Sequence, residues 1–150
     1  MDVLELKYSD LSLDQMHDLL QLRSLVFVVE QDCVYQDIDG KDRDALHRLG
    51  YEKDKLVAYT RCFPAGKYFE MPSIGRVVVH PDRRGSDLGR EIMKASIEAV
   101  YRHFGKGPIK LSAQTYLLRF YNSLGFSSTG KEYLEDGIPH IGMVYQNNKP

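Results

Sequence analysis

The sequence predicts a mixed α/β fold, in which a central sheet carries helices on its faces. Over residues 74–112 a short β-branched strand, an amphipathic helix and a second strand follow one another, and such a unit requires parallel strands with a right-handed crossover. Residues 45–63 and 126–145 have the pattern of antiparallel hairpins. The predicted element order is β, α, β, β, β, α, β, α, β, β, which combines parallel and antiparallel pairing in one sheet.

The first helix is predicted over residues 13–28. Ser12 and Gln15 have the spacing of a capping box, and apolar side chains recur near helical spacing after them. Residues 32–44 are polar and are predicted to form a loop. The hairpin that follows pairs residues 45–51 with residues 56–63.

The central unit begins with a strand over residues 74–79, which Pro81 stops. The next helix ends before Gly105, and its apolar side chains lie at three- and four-residue steps: Leu88, Ile92, Ala95, Ala99 and Val100. A further short strand is predicted over residues 108–112. Because ligands of such units bind at the strand ends, the chemistry is expected there.

The last part of the chain is predicted to form a helix over residues 116–124 and a hairpin. If Gly125 ends the helix in a left-handed conformation, Phe126 should pack back near Phe120 or Tyr121. The hairpin strands, residues 126–133 and 138–145, flank an Asp-Gly pair that is typical of tight turns.

Length, composition and charge fit one ordinary globular domain. The chain has 150 residues and 17.2 kDa, with 43% hydrophobic and 27% charged residues, so we expect a single domain over residues 1–150. Its 20 Lys and Arg nearly balance its 21 Asp and Glu, which gives no general attraction to nucleic acid or to an anionic membrane. No apolar run approaches the roughly 20 residues of a membrane span, and the start does not resemble a signal peptide, so we expect a cytoplasmic protein.

Metal binding is not expected. Cys33 and Cys62 have no zinc-site spacing and are interpreted as small buried apolar residues in a reducing compartment. A group of acids has some likeness to a calcium loop, but the twelfth position counted from Asp37 is Arg48 where a bidentate Glu is needed. These acids either attract a cationic amine or only form a loop in which the chain turns. They are Asp37, Asp39, Asp42 and Asp44.

The segment Arg-Arg-Gly-Ser-Asp-Leu-Gly at residues 83–89 is a candidate phosphate site. It connects a buried strand to an amphipathic helix, where unpaired backbone N–H groups and the positive helix end gather. It lacks the Gly-Lys-Ser/Thr ending of a Walker A loop and the glycines of a dinucleotide fingerprint. From these residues alone, a plain strand-to-helix turn is the alternative.

With its surroundings this loop resembles the GNAT superfamily of N-acetyltransferases, whose acetyl-CoA loop reads Arg/Gln-x-x-Gly-x-Gly/Ala after the fourth strand. Arg84, Gly85, Ser86, Leu88 and Gly89 fit that pattern. Residues 120–126, Phe-Tyr-Asn-Ser-Leu-Gly-Phe, are similar to the second signature of the superfamily. Four further segments look like its ElaA branch: residues 26–31, 37–40, 111–114 and 133–140.

The resemblance implies a mostly antiparallel sheet of about seven strands with a parallel, splayed fourth and fifth strand, and acetyl-CoA as cosubstrate. The pantetheine arm would pair with the backbone of Val77, Val78 and Val79 as an added strand does. The pyrophosphate would take N–H groups of the loop, which comprises Arg84, Gly85, Ser86, Asp87, Leu88, Gly89 and Arg90.

Asp87 departs from the family pattern, because it stands where the first glycine is expected. A carboxylate at a helix start can accept the N–H groups near Gly89 and Arg90 that the phosphate would use. We therefore expect Asp87 to weaken binding of acetyl-CoA without abolishing it, since the nearby arginines offset its charge.

Acyl transfer to an amine needs a proton acceptor, a donor to the oxyanion and an acid for the departing thiolate. The resemblance suggests the backbone N–H of Val78 or Val79 as oxyanion donor and Tyr121, which lies beside the CoA sulfur in the family, as acid. By position alone, Tyr121 would be a core residue on an apolar helix face. Glu30 and His140 match the family pattern and could both border the cleft that takes the acceptor amine.

The base is left open between several residues. Histidine titrates near neutral pH, whereas an unshifted glutamate is a weak base. Each residue also has a structural interpretation: Glu30 as a helix-end hydrogen-bond partner, His140 as an ordinary strand residue and His80 as a solvated strand end.

The leading functional hypothesis is an acetyl-CoA-dependent N-acetyltransferase that acts on a small primary amine or an exposed protein amine, as a monomer or homodimer. A catalytically silent acyl-CoA-binding regulatory module is the alternative, since it needs no base. Nucleic-acid binding is a distant third because no basic face or base-stacking motif accompanies Arg83 and Arg84.

Overall fold

The computed structural model describes residues 1–146 and contains one seven-stranded sheet in the order β1-β2-β3-β4-β5-β7-β6. All neighbouring strands are antiparallel except β4 and β5, which are parallel, so the predicted mixed sheet is confirmed. The strands are β1 (Asp2–Lys7), β2 (Leu46–Glu52), β3 (Lys55–Phe63), β4 (Ser73–Val79), β5 (Ile109–Gln114), β6 (Phe126–Glu135) and β7 (Ile138–Tyr145).

Within residues 1–146, three α-helices accompany the sheet: α1 (Leu13–Arg23), α2 (Leu88–Phe104) and α3 (Leu118–Ser123). The apolar core falls into two clusters. The first packs Leu19 and Leu22 of α1 against Tyr59 and other sheet residues, and the second packs α2 and α3 against residues such as Ile74. Among residues 1–146 no helix is both long and apolar enough to cross a membrane.

The first helix is shorter than the 13–28 prediction. The capping box is present, with Ser12 Oγ accepting from Gln15 N at 3.0 Å and Gln15 Oε1 accepting from Ser12 N at 2.8 Å. The α-helix ends at Arg23 and continues as a π-helix over Ser24–Glu30. Because a π-turn inserts an extra residue, it changes which side chains face inward, an effect that simple helical periodicity does not predict.

The splayed pair of strands is confirmed. β4 and β5 share a single register pair, Ser73 with Lys110, beside a hydrogen bond from Lys110 N to Pro72 O at 2.9 Å. Beyond it the strands diverge, and the β5 side of residues 75–79 has no ladder partner. The register between β3 and β4 shifts near Arg76, whose φ of 49° marks a bulge in β4.

The C-terminal elements lie close to the prediction. The 116–124 helix is a 3₁₀ turn, Thr115–Leu117, followed by α3. Gly125 is left-handed with φ 104°, and the Phe126 ring lies 5.9 Å from that of Tyr121, so the predicted helix end and packing are confirmed. The hairpin turn has φ 51° at Asp136 and 78° at Gly137, the signs of a type I′ turn.

Candidate active site

A cavity of about 380 Å³ opens where β4 and β5 diverge. Its walls combine the free edge of β4, the start of α2, α3, the π-helix and the β6–β7 turn. Of the residues singled out from the sequence, the lining includes Val77, Val78, Val79, Arg84, Gly89, Tyr121 and His140. The structure thus brings predicted CoA-binding residues and the predicted acceptor-side residue His140 to one cavity.

The loop before α2 begins with two arginines that are both held by glutamates. Arg84 donates through Nη1 and Nη2 to the Glu30 carboxylate, at 2.9 and 2.6 Å. Arg83 binds Glu52 in the same two-pronged way and also donates to Ser86 Oγ at 3.2 Å. Arg84 lines the cavity and Arg83 does not, so Arg84 is the arginine placed to reach a bound anion.

Asp87 does not cap α2, so its carboxylate does not occupy the N–H groups that the sequence suggested it could accept. Its side chain makes no capping hydrogen bond, and its backbone is left-handed with φ 67°. The carboxylate is 78% exposed and lies 3.6 Å from Nε of Arg90. This φ explains why a glycine suits the position, and Asp is among the few other residues that tolerate it.

Gly89 and Leu88 fix the first turn of α2. A Cβ at Gly89 would lie 3.3 Å from Cζ of Phe120, so the absence of a side chain lets α2 approach α3 closely. Leu88 is buried in the core. Arg90 spans the same junction, since its Nη2 donates to Ser123 Oγ at 2.9 Å.

Tyr121 lies on α3 and is almost completely buried at the cavity wall. Its ring packs edge-on against Phe120 at 5.1 Å and Phe126 at 5.9 Å. Burial raises the pKa of its hydroxyl, so the group remains a proton donor at neutral pH. Both interpretations of Tyr121, core residue and acid, are therefore compatible with its position.

His140 lies on β7, with a side chain only 9% exposed. Its Nδ1 is 2.7 Å from Ile138 O, and its Nε2 is 3.2 Å from Oε2 of Glu135. Because a carbonyl oxygen can only accept, Nδ1 carries a hydrogen and Nε2 of the neutral ring has the lone pair. His140 thus presents a nitrogen able to take a proton.

Glu30 and His80 lie outside the cavity lining. Glu30 ends the π-helix, and its carboxylate is used by Arg84. His80 follows β4, and its Nδ1 accepts from Asp82 N at 3.1 Å. Its side chain is 18% exposed, so it is a strand-end residue that is less solvated than the sequence suggested.

An ion network beside the cavity was not predicted. Three arginines, Arg23, Arg61 and Arg76, pair with the three loop acids Asp37, Asp39 and Asp42. Despite burial, which raises its pKa, hydrogen bonds from Arg61 and Lys41 lower the pKa of Asp39 to about 2. These three acids therefore neutralise the buried Arg23 and Arg61 and the partly buried Arg76, and they hold the loop against β4. A role in attracting an amine is not available to these three acids.

The two cysteines differ. Cys62 is buried, as expected, and burial raises the pKa of its thiol to about 12, so it is unreactive. Cys33 was expected to be buried and is half-exposed, because it follows the π-helix and lines the cavity, where its Sγ donates to Asp136 O at 3.2 Å.

Comparison with known proteins agrees with this architecture. The acetyltransferase (GNAT) domain family matches residues 10–147. Protein ElaA of Escherichia coli is 47% identical over 142 residues, covering 93% of both chains. The crystal structure of Escherichia coli ElaA superposes with a TM-score of 0.90 and covers 97% of this chain and 99% of that one.

Two other solved structures extend the comparison. An acyl-CoA N-acyltransferase from Pseudomonas aeruginosa has a TM-score of 0.90 at 39% identity, covering 97% of this chain and 99% of that one. An aminoglycoside 6′-N-acetyltransferase complexed with coenzyme A has a TM-score of 0.74 at 17% identity, covering 100% of this chain and 99% of that one, and shares the fold. The chain belongs to the GNAT acetyltransferase family.

Proposed function

We propose that this chain, as a single domain over residues 1–150, transfers an acetyl group from acetyl-CoA to a primary amine by direct attack in a ternary complex. The amine belongs to a small molecule or to an exposed site on a protein. One observation carries the proposal: the unpaired edge of β4, the start of α2 and Tyr121 border the same cavity.

The residues present fit acetyl-CoA. The free backbone edge at Val77, Val78 and Val79 offers the hydrogen bonds that an added strand would make, which suits the amides of a pantetheine arm. The turn before α2, left-handed at Gly85 and Asp87, precedes a 17-residue helix whose first N–H groups have no intrahelical partners. Those groups and Arg84 would bind the pyrophosphate.

Bound acetyl-CoA supplies a thioester carbonyl and a thiol leaving group. The backbone N–H of Val79 would donate to the carbonyl oxygen as negative charge develops there. That of Val78 points towards β3, because His80 N donates to Val57 O and Val78 pairs with Tyr59 two residues before it. Tyr121 would donate its O–H to the departing thiolate, and burial of the hydroxyl keeps that proton in place until it is needed.

His140 is the better placed of the two acceptor-side candidates. It lines the cavity and presents Nε2 as a proton acceptor, whereas the Glu30 carboxylate is committed to Arg84. We assign proton removal to His140, whereas Glu30 holds the Arg84 guanidinium in the free protein. A cytoplasmic location, as monomer or homodimer, suits this use of acetyl-CoA, with no metal, nucleic acid or membrane required.

The test combines turnover with binding. Thiol release from acetyl-CoA is measured over a panel of amines, and binding of acetyl-CoA is measured by calorimetry, for the wild type and for Tyr121→Phe. We expect kcat to fall by about 10- to 100-fold in Tyr121→Phe with an unchanged Kd. Tyr101→Phe, on α2 and away from the cavity, is the control.

Other outcomes select other functions. Binding of acetyl-CoA with no turnover of any amine would favour the alternative, a silent acyl-CoA-binding module, which the engagement of Arg84 by Glu30 permits. If the wild type binds no acetyl-CoA, both functions are wrong.

A further inference from the structure

The acceptor end of the cavity has two carboxylates that no arginine or lysine among residues 1–146 neutralises. Glu135 and Asp136 both line it, at the β6–β7 turn. Within residues 1–146, the ion-pair partner of Glu135 is His140, and Asp136 has no ion pair. The other charged side chains of the lining are already balanced, since Arg76 pairs with Asp37 and Arg84 pairs with Glu30.

The turn geometry holds these carboxylates in place. The type I′ turn makes Glu135 and Ile138 a facing pair, and His140 lies opposite Tyr133 two positions further on. The Tyr133 ring stacks on the His140 imidazole at 6.2 Å, and the Tyr133 hydroxyl is hydrogen-bonded to Ser112 of β5. Cys33 fixes the turn from the opposite wall through its hydrogen bond to Asp136 O.

The contact between Glu135 and His140 defines a place for an ammonium group. Nε2 of the neutral His140 ring and the Glu135 carboxylate are both acceptors, and they face one another at 3.2 Å in a wall where the imidazole is nine-tenths buried. Two acceptors so close need a shared donor with positive charge. An ammonium group with several N–H donors supplies that donor when an acceptor amine binds.

We propose that Glu135, supported by Asp136, makes this end of the cavity a cation site, and that the preferred acceptor is a small amine carrying a second positive charge. This inference rests on the proposed acetyltransferase function. The reacting ammonium docks between Glu135 and His140, and the second charge lies near Asp136.

The proton balance of the step is closed. The ammonium gives one proton to Nε2 of His140, from which it returns to solvent. The amine nitrogen forms a bond to the carbonyl carbon and the carbon–sulfur bond breaks. Tyr121 gives its proton to the thiolate, and the second proton of the nitrogen restores the Tyr121 hydroxyl. The products are an amide, a free thiol and one released proton.

The experiment compares three acceptors with the same four-carbon chain: putrescine, butylamine and γ-aminobutyrate. Their far ends are positive, uncharged and negative. For the wild type we expect kcat/KM to fall in that order, by about tenfold for each step. Glu135→Gln should lower kcat/KM for putrescine most and shrink the putrescine-to-aminobutyrate ratio by about tenfold, and Asp136→Asn should act in the same direction.

The controls separate the two levels of inference. Glu132→Gln removes an exposed carboxylate of the same strand and should leave all three acceptors unchanged. Binding of acetyl-CoA, followed by calorimetry, should be unchanged in every variant. Turnover with no dependence on acceptor charge, or a putrescine-to-aminobutyrate ratio that Glu135→Gln leaves unchanged, would overturn this inference while leaving the acetyltransferase function standing. Absence of turnover with every amine would overturn both.

Discussion

Glu30 and Arg84 form a two-pronged ion pair across 54 positions of sequence, with N–O distances of 2.6 and 2.9 Å. Glu30 ends the π-helix and Arg84 begins the loop that precedes α2, so the pair links the first helical segment to the proposed pyrophosphate site. Both side chains are more than a third exposed, so the pair stabilises the fold by no more than about 1 kcal/mol. Its main effect is to occupy the guanidinium.

Glu30→Gln should therefore tighten binding of acetyl-CoA. The neutral amide releases Arg84 for the phosphates, and we expect Kd to fall about threefold with almost no change in stability. Calorimetric titration of both proteins at one salt concentration measures it. Glu52→Gln releases Arg83 from an equivalent pair outside the cavity and should leave Kd unchanged. Weaker binding by Glu30→Gln would show instead that the pair organises the loop.

Most elements of the fold could be predicted because their signals are local. The amphipathic spacing of α2, the capping box of Ser12 and the Asp-Gly turn each lie within a few residues, and the structure contains all three. The strand–helix–strand unit similarly contains its own evidence for the parallel pair of β4 and β5.

The features that were not predicted from the sequence depend mainly on contacts between segments that are distant along the chain. Arg23, Arg61 and Arg76 reach the loop acids from three different elements, and only the folded sheet brings them together. Glu135 was overlooked although a usable signal existed: an Asp-Gly turn fixes the hairpin register, and that register puts Glu135 beside the His140 strand. The absence of a cap by Asp87 on α2 was not evident because the pattern did not show that its backbone is left-handed, and the expected weakening of acetyl-CoA binding by Asp87 stays a prediction.

Two substitutions at Asp87 distinguish the effect of backbone strain from the effect of charge on binding of acetyl-CoA. Asp87→Gly removes both, and Asp87→Asn removes the charge while keeping a residue that tolerates φ 67°. Because the carboxylate lies near Arg90 without capping α2, we expect both variants to lower the Kd of acetyl-CoA by about two- to fivefold. Calorimetry gives the values. Tighter binding by the glycine variant alone would assign the effect to the backbone, contrary to this expectation.

Gly89→Ala should weaken binding of acetyl-CoA while the fold persists. The new Cβ would meet Phe120 Cζ at 3.3 Å and Val79 Cγ2 at 3.7 Å, so the Phe120 ring must move by a few tenths of an ångström, and both neighbours line the cavity. Alanine is more favourable than glycine in a helix by about 1 kcal/mol, which offsets the strain, so the free energy of unfolding should change little. We expect Kd to rise about threefold or more. Gly107→Ala, which meets nothing within 4 Å, is the matched control for calorimetry and thermal unfolding.

Asp39 connects the ion network to acid stability. Arg61 donates to both of its oxygens, at 2.9 and 2.8 Å, and the backbone N–H of Lys41 donates at 3.0 Å. These contacts hold the folded pKa near 2 against an ordinary value of 3.8. For a carboxyl whose pKa is lowered by folding, the stabilisation is complete above the unfolded pKa and is lost as the pH falls through the folded one.

The free energy of unfolding should therefore decrease between about pH 5 and pH 2, with about 1–2 kcal/mol of the loss due to Asp39. Asp39→Asn should be destabilised by about 2 kcal/mol at pH 7, because Arg61 loses a charged partner, and the gap to the wild type should narrow as the pH approaches 2. Urea unfolding at several pH values measures both curves. Asp44→Asn, at an exposed acid of the same loop, should run parallel to the wild type. A gap between Asp39→Asn and the wild type that stays constant over this range would mean that the carboxylate charge of Asp39 does not stabilise the loop.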